Sequence, residues 1–299
     1  MKAKSIGSLW MLVAAFFFAC MGALVKVASQ KFSSNEVVFY RSLFGLLVII
    51  SITYVGHKPL ATPLWGKQIV RSLSGFGSLA LFFYAIRELP LATAVTLNYT
   101  SPLFLALLGL LYLRRDSKPL LLAAILVGFA GVTLLLQPSF SSDDWLAALL
   151  GLISGLLAGI VYLQITQLGR MGEPDWRTVF YFSLTCTVLS GLWMLLHSFQ
   201  ALTWQDLPLL IALGASATLA QLAMTRAYRK GNPLVVSSLS YTTVVLASLL
   251  GIVLWDEQLS LLSWLGIALI ILSGVVSVHR TPLQEEPKAL EKSSQGPTL

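Results

Sequence analysis

Long apolar runs recur along the chain, separated by short polar breaks. Ten are read, at about 8–28, 35–55, 68–87, 91–112, 119–136, 146–167, 177–197, 207–228, 234–254 and 261–279. At 1.5 Å per residue, a run of about twenty crosses a hydrocarbon core of about 30 Å. Continuous runs of this length predict helices, whereas a membrane barrel would alternate over about ten residues. The breaks carry turn chemistry, as in His57-Lys58-Pro59, Gly172-Glu173-Pro174 and Gly231-Asn232-Pro233. Lys2 and Lys4 precede the first run as they would in a signal peptide. The stretch from Leu9 to Val25 is too long for one, and Phe18-Ala19-Cys20 makes a poor lipoprotein signal, so it is read as a span.

Composition agrees with the pattern. Of 299 residues, 56% are hydrophobic and 11% charged, where a soluble domain carries about 25% charged. The mean hydropathy is +0.79. This is an integral membrane protein, and a cytosolic enzyme or a disulfide scaffold is excluded. Cys20 and Cys186 both lie inside apolar runs, and with three His they leave little material for a metal cluster. No cofactor, metal or ATP-binding loop is expected.

The net charge of +7 points to lipid topology rather than nucleic acid, because Lys and Arg collect in cytoplasmic loops. With the N-terminus inside, the inner segments hold sixteen of the twenty Lys and Arg, counting Lys58, Lys67 and Arg71 in one segment and Arg114, Arg115 and Lys118 in the next. The outer side keeps Lys26, Lys31, Arg41 and Arg87. Both termini are therefore expected in the cytoplasm. The tail after Arg280 is polar and is expected to be disordered.

The chain also resembles itself. Phe39-Tyr40-Arg41-Ser42-Leu43 returns 141 positions later as Phe180-Tyr181-Phe182-Ser183-Leu184. Arg87, Leu97, Tyr99, Thr100 and Gly109 return 142 positions later as Arg229, Leu239, Tyr241, Thr242 and Gly251. Each repeat holds five spans, an odd number, so the second enters the membrane inverted. Inverted repeats around a central site are a hallmark of secondary transporters. The expected architecture is all-α: ten transmembrane helices, with a first five-helix repeat over 1–140, a second over 141–280 and a tail over 281–299.

Over about residues 7–279 the chain resembles the drug/metabolite transporter superfamily in its EamA-type branch. The likeness rests on the two five-span halves, on Lys26 and Arg41, on the stretch from Ala85 to Pro102, on Trp255-Asp256-Glu257 and on Gly274-Val275. Arg114-Arg115-Asp116 departs from the acidic turn usual there. The resemblance implies a multi-pass carrier in a bacterial inner membrane, similar to exporters of amino acids and other metabolites, with some uptake carriers among its relatives.

Polar residues deep in spans mark the candidate site, since they are costly facing lipid. Asn98, Tyr99, Thr100 and Ser101 lie about 10–17 Å into span 4. There Pro102 removes the hydrogen bond to the Asn98 carbonyl. The alternative is interhelical bonding and a kink. Ser240 and Tyr241 hold the matching place in span 9, so the two tyrosines are expected to flank one cavity from opposite sides of the midplane. Gln221 is the deepest polar residue of span 8, with Tyr162, Gln164, Gln167 and Arg226 nearer the inner interface. Lys26 and Arg41 could attract an anionic group or snorkel to headgroups. Tyr84 is a candidate wall or a member of an aromatic belt. Gly151, Gly155 and Gly159 share one helix face and fit either packing within the fold or a homodimer seam. No Asp or Glu lies deep in a span.

The function expected is a secondary transporter moving a small polar or amphipathic metabolite (amino acid, carboxylate or amine) by alternating access, with export favoured. The alternative is a lipid or lipid-linked precursor translocase on the same scaffold. No catalytic constellation supports an enzyme. The expected partners are a small-molecule substrate and the lipid bilayer.

Overall fold

The computed structural model describes residues 2–89, 91–113, 119–139, 145–197, 199–256 and 258–279. The helices are α1 (Lys2–Ala28), α2 (Ser34–Val55), α3 (Trp65–Glu88), α4 (Leu91–Asn98), α5 (Ser101–Leu113), α6 (Pro119–Leu136), α7 (Trp145–Arg170), α8 (Asp175–Leu196), α9 (Leu207–Lys230), α10 (Pro233–Ser240), α11 (Thr242–Trp255) and α12 (Leu261–His279). Among the described residues there is no strand. Nine helical stretches among the described residues are long and apolar enough to cross a membrane, with α10 and α11 counted as one. The remaining span of the sequence reading falls on α4 and α5.

Local chemistry explains where helices begin. Ser33 and Glu36 form a reciprocal capping box at α2: Ser33 N–H donates to Glu36 Oε2 at 2.8 Å, and Glu36 N–H donates to Ser33 Oγ at 3.5 Å. Asn232 caps α10 by accepting from Leu234 N–H at 3.1 Å, ahead of Pro233 in the first turn.

The loops gather on two faces. On one, Glu173 accepts from Thr62 Oγ1 at 2.5 Å, Gln68 Nε2 at 2.9 Å and Arg177 Nη1 at 3.1 Å. Beside it Arg229 donates to Asp175 at 2.6 Å, and Asn232 N–H donates to Ser8 Oγ at 3.1 Å. On the other face, Lys31 pairs with Asp206 at 2.5 Å. Gln200 N–H donates there to Glu36 Oε1 at 2.6 Å, and Gln137 Nε2 to Ser260 Oγ at 2.5 Å. So α1 starts at the Glu173 face and α7 ends there, which is the inversion expected from an odd-span repeat.

Packing follows the same exchange. The contact of α1 with α9 has its counterpart in that of α7 with α3, each joining one half to the other, while α2 packs on α8 and α6 on α12. The stripe of Gly151, Gly155 and Gly159 lies against α4 and α5 of the same chain. A methyl at Gly155 would stand 2.7 Å from the Leu97 carbonyl oxygen, and one at Gly159 3.0 Å from that of Ser101. Bare backbone there lets two helices touch.

Two expectations change. Spans 4 and 9 are each two helices, broken at Tyr99-Thr100 and at Tyr241. Arg71, counted with the polar inner segment, is 1% exposed within α3. The expectations for Arg114, Arg115, Lys118, Glu257, Arg280 and the tail over 281–299 lie outside the described residues.

Glu173 is 5% exposed and anchors the α7–α8 turn to the α2–α3 segment. Removing a buried acceptor while its cationic and amide partners stay costs about 3–5 kcal/mol. Glu173→Ala should therefore lower the melting temperature in detergent sharply, and Glu173→Gln should recover part of the loss. A wild-type melting curve for Glu173→Ala would show that the turn is held otherwise.

Candidate functional site

The two helix breaks build the centre. After Asn98 the chain makes a single turn, Thr100 N–H donating to the Leu97 carbonyl at 3.2 Å, before α5 restarts from the Thr100 carbonyl. Pro102 lacks an N–H, so the Asn98 carbonyl has no α-helical donor at that position. The second break has no proline. There Ser237 and Ser240 donate back to the Leu234 and Ser237 carbonyls at 3.0 and 2.7 Å, competing with the helical ladder. Tyr241 N–H reaches the Ser238 carbonyl, at 3.4 Å, in place of the helical bond to Ser237.

The breaks are each about 12 Å from their own helix start, on opposite faces. They bring Tyr99 and Tyr241 together, ring centroids 6.3 Å apart and tilted by 38°. A second pair joins them, Tyr162 of α7 stacked on Tyr228 of α9 at 4.7 Å and 11°. The Tyr99 hydroxyl is in hydrogen-bonding reach of Thr243, and that of Tyr162 of Ser101. The hydroxyls of Tyr228 and Tyr241 are buried with no partner. A buried polar group left unmatched costs about 1–3 kcal/mol. The centre therefore holds two phenols able to donate to, or accept from, a guest.

Beside Tyr162 lies a cation. The Arg71 guanidinium stacks on the Phe182 ring, 4.4 Å from its centroid, with the Tyr162 hydroxyl and Cys186 thiol in electrostatic range. Arg41 of α2 faces the same thiol and places Nη1 3.4 Å from Met21 Sδ. In the repeat Arg41 and Phe182 are equivalent positions. One half thus offers an arginine where the other offers the ring that carries one.

The expected residues separate into two groups. Tyr99, Tyr241, Ser101 and Arg41 meet in or beside this centre. Asn98 donates instead to Ser154 Oγ of α7 at 3.1 Å, Thr100 to the Leu97 carbonyl at 2.5 Å, and Ser240 to its own helix, so all three hold the breaks in shape. Gln221 is half-buried on α9. Lys26 is exposed at the end of α1, its ammonium 4.0 Å from the Trp255 ring centroid, and Tyr84 is 39% exposed. Sequence reasoning missed Arg71, Tyr228 and Phe182. The signal was present for Arg71, an arginine inside α3 matched by Leu213 in the repeat.

Among the described residues no group of His, Cys, Asp and Glu could hold a metal. The chain matches the model of the EamA-like transporter family twice, over residues 5–137 and 145–278. It is 30% identical over 275 residues to the pseudopaline exporter CntI of Pseudomonas aeruginosa, covering 92% of this chain and 96% of that one. It is 22% identical over 260 residues to the S-adenosylmethionine uptake transporter of Rickettsia bellii, covering 86% and 88%. A crystal structure with 21% identity superimposes with a TM-score of 0.82 over 92% of this chain and 98% of that one, which shows the fold. Two family matches that between them span almost the whole sequence leave one assignment: the chain belongs to the EamA-like transporter family.

Proposed function

We propose that the protein carries a small polar or amphipathic metabolite across the bacterial inner membrane by alternating access, in the export direction, with both termini cytoplasmic. The observation that carries this reading is the meeting of two broken helices, one from each half, at Tyr99 and Tyr241. Irregular backbone at membrane depth is tolerated where it lines a cavity or is buried in protein, and paired breaks mark the site in inverted-repeat carriers. The exchanged contacts, α1 with α9 and α3 with α7, supply two equivalent seams. Opening one while the other closes would expose the tyrosines to alternate faces. The export direction is supported by the likeness to a named exporter at 30% identity, against 22% for a named uptake carrier.

Reconstituted protein in liposomes should show counterflow of a labelled solute drawn from amino acids, carboxylates, amines and nucleoside-type metabolites. Saturable accumulation of one class is the expected result. Folded protein that accumulates none of them would overturn the metabolite reading and point to a lipid as cargo.

A further inference from the structure

Arg71 is buried in a way that calls for an anion. Its side chain is 1% exposed, and Nε and Nη1 have no hydrogen-bond partner. Among the described residues it makes no salt bridge, whereas Lys31, Arg177, Arg226 and Arg229 each do. Glu173, bonded to Gln68 one turn earlier on α3, is committed to Thr62 and Arg177 as well. Every described carboxylate, at Glu36, Glu88, Glu173, Asp175, Asp206 and Asp256, stands at a helix end. A guanidinium withdrawn from water with no carboxylate is costly, and intramembrane cations normally pair.

The surroundings hold the group in place without neutralising it. Phe182 supports one face of the guanidinium, at 4.4 Å. Gly75, one turn further along α3, leaves the space: a methyl there would stand 3.0 Å from the Phe182 ring and 3.8 Å from Nη1. Arg41 adds a second positive charge against the same Cys186, with its own Nε buried and unpartnered. The neighbouring Tyr162 connects this spot to the tyrosine cluster.

We propose that Arg71 docks a carboxylate of the cargo, with the Arg41 charge assisting, while the body of the cargo lies against the tyrosines. This rests on the carrier reading for its setting. The planar fork of a guanidinium matches a carboxylate with two parallel N–H···O bonds. The cargo is then an acid, and amines without a carboxylate are excluded. The ion pair also forms only while cargo is bound, so the empty site carries an uncompensated charge that favours loading.

The test is binding, separate from transport. Purified protein is titrated by thermal shift with benzoate, succinate and L-phenylalanine, each beside its amide, and with inorganic phosphate. At least one acid should raise the melting temperature while its amide does not. Arg71→Gln should weaken that acid at least tenfold, as expected for loss of a charge-assisted pair. Arg71→Lys should bind in between and keep the preference for acid over amide. Amides as effective as acids, stabilisation by phosphate but by no carboxylate, no response to any acid, or Arg71→Gln binding within twofold of wild type would each overturn the proposal. A purely structural Arg71 would lower the unliganded melting temperature and leave the acid-to-amide ratio alone. Binding without counterflow would sink the carrier reading and leave the subsite. Counterflow of a neutral or cationic solute that Arg71→Gln does not alter would do the reverse.

Discussion

Tyr241→Ala is expected to abolish counterflow, and Tyr241→Phe to cut it about three- to tenfold with no loss of thermal stability. The two variants separate structure from function. Tyr241 is fully buried and packs with Val244, Val245, Ile267 and Ile270. Truncating such a ring costs about 3–5 kcal/mol, so the alanine variant loses both packing and site. The phenylalanine variant removes one oxygen that has no partner in the protein. Deleting an unmatched hydroxyl relieves a desolvation cost, so the melting temperature should hold or rise. If cargo uses that oxygen, its hydrogen bond is worth about 0.5–1.5 kcal/mol, which sets the size of the transport defect. Wild-type counterflow in Tyr241→Phe together with Tyr99→Ala would remove the tyrosine pair from the mechanism.

Gly155→Ala is expected to prevent recovery of folded protein, although alanine is the better helix former. The added methyl would meet the Leu97 carbonyl oxygen at 2.7 Å and crowd the Thr100 hydroxyl and Asn98 backbone. The Leu97 and Asn98 carbonyls are backbone atoms of the α4–α5 break, held in turn by the Asn98–Ser154 bond, so they cannot swing aside. Overpacking against movable side chains costs about 1–3 kcal/mol, and a backbone collision should exceed that. Gly22→Ala and Gly109→Ala are the controls. Neither would meet an atom within 4 Å, and each should gain the helix preference of alanine, about 0.5–1 kcal/mol. Detergent-extracted yield and melting temperature read the contrast. Equal yields from all three variants would mean that α7 can slide away from the break.

Most of the architecture was legible because it depends on one-dimensional signals. Run length gave the membrane crossings, and the returning Phe-Tyr-x-Ser-Leu and Tyr-Thr segments gave the two halves. Pro102 marked the first break chemically. The second has only serines, and its position is readable from the repeat alone. What the sequence could not supply was direction around a helix. Several spans are apolar on every side, so periodicity sets depth and leaves facing undetermined. Tyr84 fitted a cavity wall and an aromatic belt equally well in the sequence; it is 39% exposed, while Tyr99 meets Tyr241. Arg71 was misplaced for a related reason. Counting Lys and Arg to find loops treats every cation as loop-bound, and that count cannot register an arginine sealed inside by Phe182. The glycine stripe showed a close contact without naming the partner, which is the broken helix of the same chain.

The place of Arg71 also bears on how the protein is made. The α3 span is the least apolar of those that cross, with a mean hydropathy of 1.5 against 2.2 for α1 and 2.5 for α6. An arginine at the centre of a spanning helix adds about 2.5–3.5 kcal/mol to its insertion, and Arg71, two turns into α3, adds part of that. The ring that carries that charge is Phe182, more than a hundred residues further along the chain. At about 5–20 residues per second, the ribosome reaches it several seconds to some twenty seconds after α3 emerges. For most of that interval α3 has neither α7 nor α8 to lie against. Its first lodging in the bilayer is provisional, and only synthesis of the second half makes it permanent.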